Sequence, residues 1–167
     1  MSYALTINRE QLSGVVGREV TYQASEEIGK AIIKRFAAAM GDRNPLYWDD
    51  EYVEKSPYKG MPAPPTLIFE LTYDLWSAIS EEGLSKEFKE WLGFEVNLQR
   101  AGNDYEMVQP VYPDDIISVR RKVIDVTEKK GRKGNFAFLT SEVTYTNQRG
   151  ELLGINKETL AVQLDDS

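Results

Sequence analysis

One run of nine residues, Gly41-Asp42-Arg43-Asn44-Pro45-Leu46-Tyr47-Trp48-Asp49, brings together side chains that can transfer protons or form hydrogen bonds. Asp42 is a candidate acid or base, and the amide of Asn44 can donate and accept hydrogen bonds. Tyr47 has an ordinary pKa of about 10, so its phenol is a poor general base near neutral pH. The same run also fits a plain loop, in which Gly41 ends a helix and Asp42 and Asn44 form turns. The residues alone leave both interpretations open.

Composition narrows the chemistry that this run could support. The 167 residues include no cysteine and no histidine, which excludes thiol nucleophiles, disulfides, Ser-His-Asp triads and imidazole zinc sites. Catalysis must therefore use Asp, Glu, Tyr, Lys, backbone groups or another chain's residues. The net charge of -7 disfavours nucleic acid and membrane surfaces as partners. The chain has no phosphate-binding loop and no Gly-x-Gly, so we expect neither a cofactor nor a metal.

The elements before and after the run follow from the hydrophobic pattern. We expect a strand over residues 20–24 and a helix over 26–40, with Ser25 as its N-cap and Gly41 at its end. Four apolar residues recur at a spacing of four along that helix: Ile28, Ile32, Phe36 and Met40. A short acidic helix is predicted over 49–55.

The rest of the chain predicts a buried helix followed by strands. After a proline-rich segment, a helix over about 66–80 has apolar residues on nearly all sides: Leu67, Ile68, Leu71, Leu75, Trp76 and Ile79. Strands are expected near 95–101, 104–111, 116–127, 135–146 and 152–164, with a turn at Ala101-Gly102-Asn103. The pattern predicts one α+β domain over 1–167, with an antiparallel sheet of about five strands wrapped around the long helix. Because such a sheet has a free edge, a dimer is expected.

Four segments together resemble one family. The nine-residue run resembles Gly-Asp-x-Asn-Pro-x-His-x-Asp of the MaoC-like (R)-specific hydratases and dehydratases, in the hotdog superfamily. Residues 60–66 are similar to Gly-x-x-Ala-Pro-Pro-Thr of its FAS1-like branch, and residues 109–115 are similar to its Arg-Pro-x-x-x-Gly-Asp turn, with Asp114 where glycine is usual. Residues 147–152 match the last hairpin. The resemblance covers about residues 12–164 and implies a single hotdog.

The resemblance also implies a damaged catalytic site. In active members an Asp and a His hold the water that is added across the Cα–Cβ bond of an acyl thioester, and a glycine N–H polarises the thioester carbonyl. Asp42 matches the aspartate, but Tyr47 stands at the histidine and Pro64, which has no N–H, at the glycine. Asp42, Tyr47 and Asn44 are thus a degenerate catalytic set. The implied substrate-binding residues are Trp48, Pro64, Thr66, Phe69 and Tyr73.

The function implied is a cytoplasmic subunit of a hydratase or dehydratase that interconverts trans-2-enoyl and 3-hydroxyacyl thioesters of CoA or acyl carrier protein. This chain would be the non-catalytic, channel-forming half, as a homodimer or paired with an active hotdog subunit. The alternatives are an active homodimeric hydratase using Asp42, a thioesterase using Glu70 beside Asp74, and a non-enzymatic acyl-thioester binder. The basic turn at 129–133 either contacts CoA phosphates or a carrier protein, or is a solvated hairpin tip.

Overall fold

The computed structural model describes residues 6–71, 92, 98–132 and 134–165. The predicted helix is therefore seen only at its start, and Tyr73, Asp74, Leu75, Trp76 and Ile79 lie outside the described residues, as do the side chains of Glu70 and Leu71. The strands are β1 (Thr6–Ile7), β2 (Glu19–Gln23), β3 (Gln99–Met107), β4 (Ser118–Gly131), β5 (Gly134–Thr146) and β6 (Leu152–Leu164). The helices are α1 (Arg9–Leu12), α2 (Lys30–Ala39), α3 (Asp50–Glu54) and α4 (Leu67–Leu71), with a 3-10 turn at Pro45–Tyr47. None of the helices seen in these ranges is long and apolar enough to cross a membrane.

Within these residues, six strands form one sheet, which confirms the predicted α+β class. The order is β1-β6-β5-β4-β2, and β3 also pairs with β6. The short β1 pairs with the last two residues of β6, and β3 pairs with the part of β6 that precedes them. All pairs are antiparallel except β1 with β6. The three longest strands, β4, β5 and β6, lie side by side. β5 and β6 alternate buried and more exposed residues over most of their length, and β4 does so over its first six residues.

The prediction of two strands at 95–101 and 104–111 is wrong, because the described part of this segment forms the single strand β3. Its pairing with β6 runs from Gln99, opposite Ala161, to Met107, opposite Gly154. The register shifts once, between Arg100 and Gly102. A glycine in a strand interior favours a bulge, so the expected turn is a local irregularity in a continuous ladder.

Helix α2 ends where the pattern predicts but begins later. Its first residue is Lys30, and its N-cap is Gly29, with φ of 72°, rather than Ser25. The preceding backbone is held elsewhere: the N–H of Ile28 donates to Asp115 O at 3.1 Å, and that of Gly29 donates to Pro113 O at 2.8 Å. These long-range bonds keep the segment before Lys30 out of the helix despite its helical periodicity.

The buried face of the sheet carries two apolar clusters. In one, Val119, Val143 and Tyr145 pack with Ile68 of α4 and Ile33 of α2. The other includes Val123, Leu139 and Leu160. Four buried polar residues lie on the same face, among them the ion pair of Arg121 with Glu158: Arg121, Ser141, Asn156 and Glu158. The start of α4 therefore packs against the sheet, as predicted for the buried helix.

Candidate functional site

The nine-residue run folds as a series of hydrogen-bonded turns that follows α2. Gly41, with φ of 68°, donates its N–H to Ala38 O at 3.0 Å, and Asp42 donates its N–H to Ala37 O at 2.8 Å. This pair of bonds is the Schellman arrangement that ends a helix at glycine. Asp42 Oδ1 then accepts the N–H of Asn44 at 2.9 Å, so one carboxylate oxygen of the candidate catalytic aspartate already serves the turn.

Asn44 begins the 3-10 turn that positions Tyr47. Its Oδ1 accepts the N–H of Leu46 at 3.1 Å, and Pro45 occupies the first position of the turn, where its missing N–H costs nothing. The turn directs Tyr47 inward, with 7% of its surface exposed, whereas Asp42 and Asn44 remain exposed. Local sequence therefore suffices to place a buried phenol beside an exposed carboxylate.

The environment of Tyr47 disfavours the phenolate. Burial, the negative charge of Asp42 and the neighbouring Tyr58 together raise the pKa of the Tyr47 hydroxyl above its ordinary value. At neutral pH the group is therefore a protonated hydrogen-bond donor and not a base. The structure thus brings Asp42 close enough to Tyr47 for its charge to act on the phenol.

Tyr47 lies in the wall of a cleft of about 340 Å³. The cleft is lined by four residues with polar side chains and eight apolar ones: Asn44, Tyr47, Tyr58, Gln109, Leu46, Pro62, Ala63, Pro65, Met107, Val108, Pro110 and Val111. Its two sides are joined by a hydrogen bond from the N–H of Ala63 to Val111 O at 2.7 Å. A cleft of this size and mainly apolar lining suits a hydrocarbon group.

Several predicted substrate-binding residues lie elsewhere. Phe69 is buried, stacked on Tyr105 with ring centroids 4.1 Å apart and edge-on to Tyr145 at 4.9 Å, so it belongs to the core. The indole N–H of Trp48 donates to Asp42 O at 3.0 Å, and its ring is 40% exposed. Pro64 is buried and Thr66 is exposed, and neither lines this cleft. Of the predicted site residues whose side chains are described, Asn44 and Tyr47 line this cleft.

The cleft contains residues that the site prediction missed. Tyr58 and Gln109 are its other polar members, and Met107 and Val108 come from the end of β3 and the residue after it. Tyr58 lies nine residues after the end of the nine-residue run, and Gln109 begins the segment that resembles the family's turn. Both residues therefore lie in or near segments that the sequence analysis singles out. Only the fold shows that they line one cleft, because it places the end of strand β3 against residues 58–65.

A buried carboxylate fixes the loop that forms this wall. Asp115 is fully buried and accepts hydrogen bonds from the N–H of Tyr112 at 2.8 Å, Asn147 Nδ2 at 3.2 Å and Arg149 Nη2 at 2.5 Å. Hydrogen bonds from Asn147 and Arg149 also lower the pKa of Glu151. The turn between β5 and β6 therefore anchors the loop after β3.

Charged residues lie in a second cleft and at the far end of strand β4, both outside the cleft beside Tyr47. A neighbouring cleft of about 680 Å³ includes Lys30, paired with Asp50 at 3.0 Å, and Lys59, whose Nζ lies 4.6 Å from the ring centroid of Tyr112. The basic turn lies at the end of β4 remote from the Asp115 loop, roughly 40 Å along the strand from Ser118. It is thus not part of the cleft beside Tyr47.

Comparison with known families gives one match over most of the chain. The model for the FAS1-like, dehydratase domain region matches residues 14–154. A UPF0336 protein of Saccharopolyspora erythraea is 30% identical over 149 residues, covering 89% of this chain and 88% of that protein. A probable enoyl-CoA hydratase alpha subunit of Thermomonospora curvata is 27% identical over 157 residues, covering 89% of this chain and 49% of that protein. The chain thus spans about half the length of this second relative.

Two solved structures share the fold. The MaoC-like dehydratase from Rhodospirillum rubrum superposes with a TM-score of 0.71 at 23% identity, covering 96% of this chain and 99% of that one. A chain of the ChsH1-ChsH2 complex from Mycobacterium tuberculosis gives a TM-score of 0.73 at 18% identity, covering 95% and 96% of the two chains. At these identities the likeness is one of fold.

Proposed function

The chain belongs to the FAS1-like dehydratase domain family, whose MaoC-like members have the hotdog fold, and on that basis we propose that it is the non-catalytic subunit of an acyl-thioester hydratase or dehydratase. The reaction is the interconversion of trans-2-enoyl and 3-hydroxyacyl thioesters of CoA or acyl carrier protein. An active hotdog partner supplies the catalytic residues, and this chain contributes sheet and channel wall.

The observation that carries the proposal is the protonated phenol of Tyr47. Hydration needs a base that accepts a proton from water, and a useful base has a pKa near the working pH. With a pKa raised above 10.0, fewer than about one Tyr47 side chain in 10³ is ionised at pH 7. Tyr47 therefore cannot supply that base, and Asp42 is exposed with one carboxylate oxygen accepting the Asn44 N–H.

The start of α4 supports the same conclusion. In active relatives a backbone N–H at this position polarises the thioester carbonyl, and losing one such donor typically costs about 10²–10³ in rate. Here two successive prolines, Pro64 and Pro65, have no N–H to donate. The N–H of Leu67 is already bonded to Pro64 O at 2.9 Å.

The edge of the sheet supports a second hotdog subunit as the partner. Strand β3 pairs with β6, and no described strand pairs with its other side. Three large apolar side chains are exposed at its end, with exposed fractions of 37% to 46%: Tyr105, Met107 and Val108. An unpaired edge with apolar residues favours association with another strand. The similar chain from the ChsH1-ChsH2 complex comes from an assembly of two components, which fits this arrangement.

The lining of the cleft supports an acyl substrate. Most of its walls are apolar, and Met107 and Val108 join it to the free edge where the partner would bind. A relative described as a probable enoyl-CoA hydratase alpha subunit is consistent with an acyl thioester as ligand. The hydrocarbon portion of a substrate held by the partner could therefore extend into this chain.

The purified chain provides the first test, with trans-2-dodecenoyl-CoA as substrate. We expect a dimer or larger homomer by light scattering, with hydration slower than about 1 s⁻¹, the low end of ordinary enzymes. Asp42→Asn should leave that residual rate unchanged, as should Asp125→Asn, a control on strand β4. Faster hydration that Asp42→Asn abolishes would identify an active homodimeric hydratase. Release of free CoA that Glu70→Gln abolishes would identify a thioesterase.

A further inference from the structure

The outer edge of strand β4 has a long stretch that no other strand covers. β2 pairs with β4 only over Ser118–Lys122. The last contact along this edge is Val123, whose C=O accepts the Gly17 N–H at 2.8 Å and whose N–H donates to Arg18 O at 3.0 Å. From residue 124 to residue 131, no strand or loop in the described part of the chain bonds to this side. The open stretch is roughly 27 Å long.

The side chains of this stretch are accessible and two of its charges are available. Ile124 is 41% exposed, and residues 127–131 are all exposed. The carboxylate of Asp125 and the ammonium of Lys129 make no ion pair with any residue in the described ranges. The contact recorded for Lys129 is with the ring of Phe138, whose centroid lies 5.2 Å from Nζ. One negative and one positive charge can therefore pair with a neighbouring chain.

The order of these charges makes the edge complementary to itself. Asp125 and Lys129 lie four residues apart, so both side chains are on the same face of the strand. Two copies of one edge that are related by a two-fold axis run antiparallel. If the axis passes through Thr127, Asp125 of each copy lies opposite Lys129 of the other, and the two Thr127 side chains face each other. Opposite charges and paired threonines at directly opposed positions stabilise antiparallel strands.

The neighbouring registers lack this match. An axis through Glu128 places two carboxylates opposite each other, and an axis through Lys129 places two ammonium groups opposite each other, which is destabilising. Thr127 is also the midpoint of residues 124–130, the stretch between the Val123 contact and Gly131 at the end of the strand. Charges on a free edge discourage pairing with an arbitrary strand, whereas matched charges favour the one strand that fits them.

We propose that residues 124–130 of β4 bind the same edge of a second copy of this chain, antiparallel and centred on Thr127, so that the two sheets continue into each other. Strands β5 and β6 separate this edge from β3, so the surface is distinct from the edge assigned to the hotdog partner. The inference therefore goes beyond the proposed function and does not depend on it. It gives the chain a role in assembly, because two hotdog pairs are joined through β4.

Site-specific crosslinking tests the contact, since the chain has no cysteine of its own. In the purified Thr127→Cys variant the two Cβ atoms should lie about 4.5–5.5 Å apart across the axis, close to the span of a disulfide. Mild oxidation should therefore give a covalent dimer on a non-reducing gel. Lys130→Cys is the matched control, because its side chains lie roughly 20 Å apart in this register and should give at least about fivefold less dimer.

Charge exchange in the Thr127→Cys background tests the register. Asp125→Lys alone, or Lys129→Asp alone, places like charges opposite each other and should lower the yield of covalent dimer at least about fivefold. The double change Asp125→Lys with Lys129→Asp exchanges the charges within each pair and should restore the yield. Circular dichroism of each variant checks that the fold is retained.

Three results would overturn the inference. The first is an equal yield of dimer from Thr127→Cys and Lys130→Cys, which would mean random collision. The second is a yield that neither single charge change lowers. The third is a folded double variant whose yield stays as low as that of the single variants, because complementary charges would then not be what holds the two edges together.

Discussion

Burial and the carboxylate of Asp42 act in the same direction on Tyr47, and both oppose loss of the phenolic proton. The effect of this carboxylate depends on the residue beside it. Next to a histidine, a negative charge favours the protonated imidazolium and so strengthens the base. Next to a tyrosine, the same charge disfavours the phenolate. The carboxylate of Asp42 therefore has the opposite effect on the tyrosine at position 47 from the effect that it would have on a histidine.

The raised pKa of Tyr47 predicts a loss of stability at high pH. In the unfolded chain the phenol ionises near 10, whereas in the folded chain it ionises at higher pH. The unfolded state therefore loses its proton first, and the contribution of Tyr47 to stability, complete below pH 10, declines as pH rises from there through the folded-state pKa. Urea denaturation at several values from pH 8 to 11 should show a shallower decline in Tyr47→Phe than in the parent chain. A Tyr52→Phe control should follow the parent, and identical declines in all three proteins would contradict the prediction.

Asp115 should be a major contributor to the stability of the loop beside the cleft. Asp115→Asn removes the negative charge of the carboxylate that accepts a hydrogen bond from Arg149. It also places an amide N–H₂ group, which donates, next to groups that are themselves donors. The free energy of unfolding should therefore fall by about 1–3 kcal/mol. The adjacent Asp114 is a matched control, because its side chain is 78% exposed and its nearest contact with Arg149 is 3.8 Å. Asp114→Asn should change stability by less than about 0.5 kcal/mol. Equal effects of the two changes in urea denaturation would show that the buried hydrogen bonds do not anchor the loop.

Gly154 should tolerate no side chain, because α4 and β3 approach it closely. A Cβ at this position would lie 3.2 Å from Glu106 O and 3.5 Å from Ile68 Cδ1. Gly154→Ala should therefore destabilise the fold by about 1–3 kcal/mol. Gly102→Ala, with no atom within 4 Å of the added Cβ, should be neutral or stabilising. The Ile68 Cδ1 distance is an ordinary van der Waals contact, so Glu106 O is the obstruction and Ile68→Val should not relieve the Gly154→Ala cost in a double-mutant cycle. Relief of that cost by Ile68→Val would contradict this assignment.

Local signals in the sequence predict the Asp42–Tyr47 turn, while long-range contacts decide the rest of the site. Gly41, Asn44 and Pro45 each act on backbone within a few residues, so their roles follow from residue type. The start of α2 does not follow from residue type. Asp115 O and Pro113 O accept hydrogen bonds from the N–H groups of two residues that the pattern places in the helix, Ile28 and Gly29.

The cleft walls show the same distinction. Phe69 matches the substrate-binding pattern from its sequence position, but Tyr105 and Tyr145 surround its ring in the core. Met107 and Val108 line the cleft only because β3 is one strand paired with β6. Alternating hydrophobicity predicts that strands exist, but it does not say which loop their ends will meet.

The most direct test of the non-catalytic role is hydration of trans-2-dodecenoyl-CoA by the reconstituted complex. The proposed partner is a hotdog subunit that retains Gly-Asp-x-Asn-Pro-x-His. An Asp→Asn change is made at the aspartate of this motif, first in this chain and then in the partner. With Asp42→Asn in this chain, the turnover rate should stay within about twofold of the parent complex. The matching change in the partner should lower it by about 10²–10⁴. A collapse of the rate on Asp42→Asn, with the partner's change harmless, would contradict the account and make Asp42 a catalytic residue.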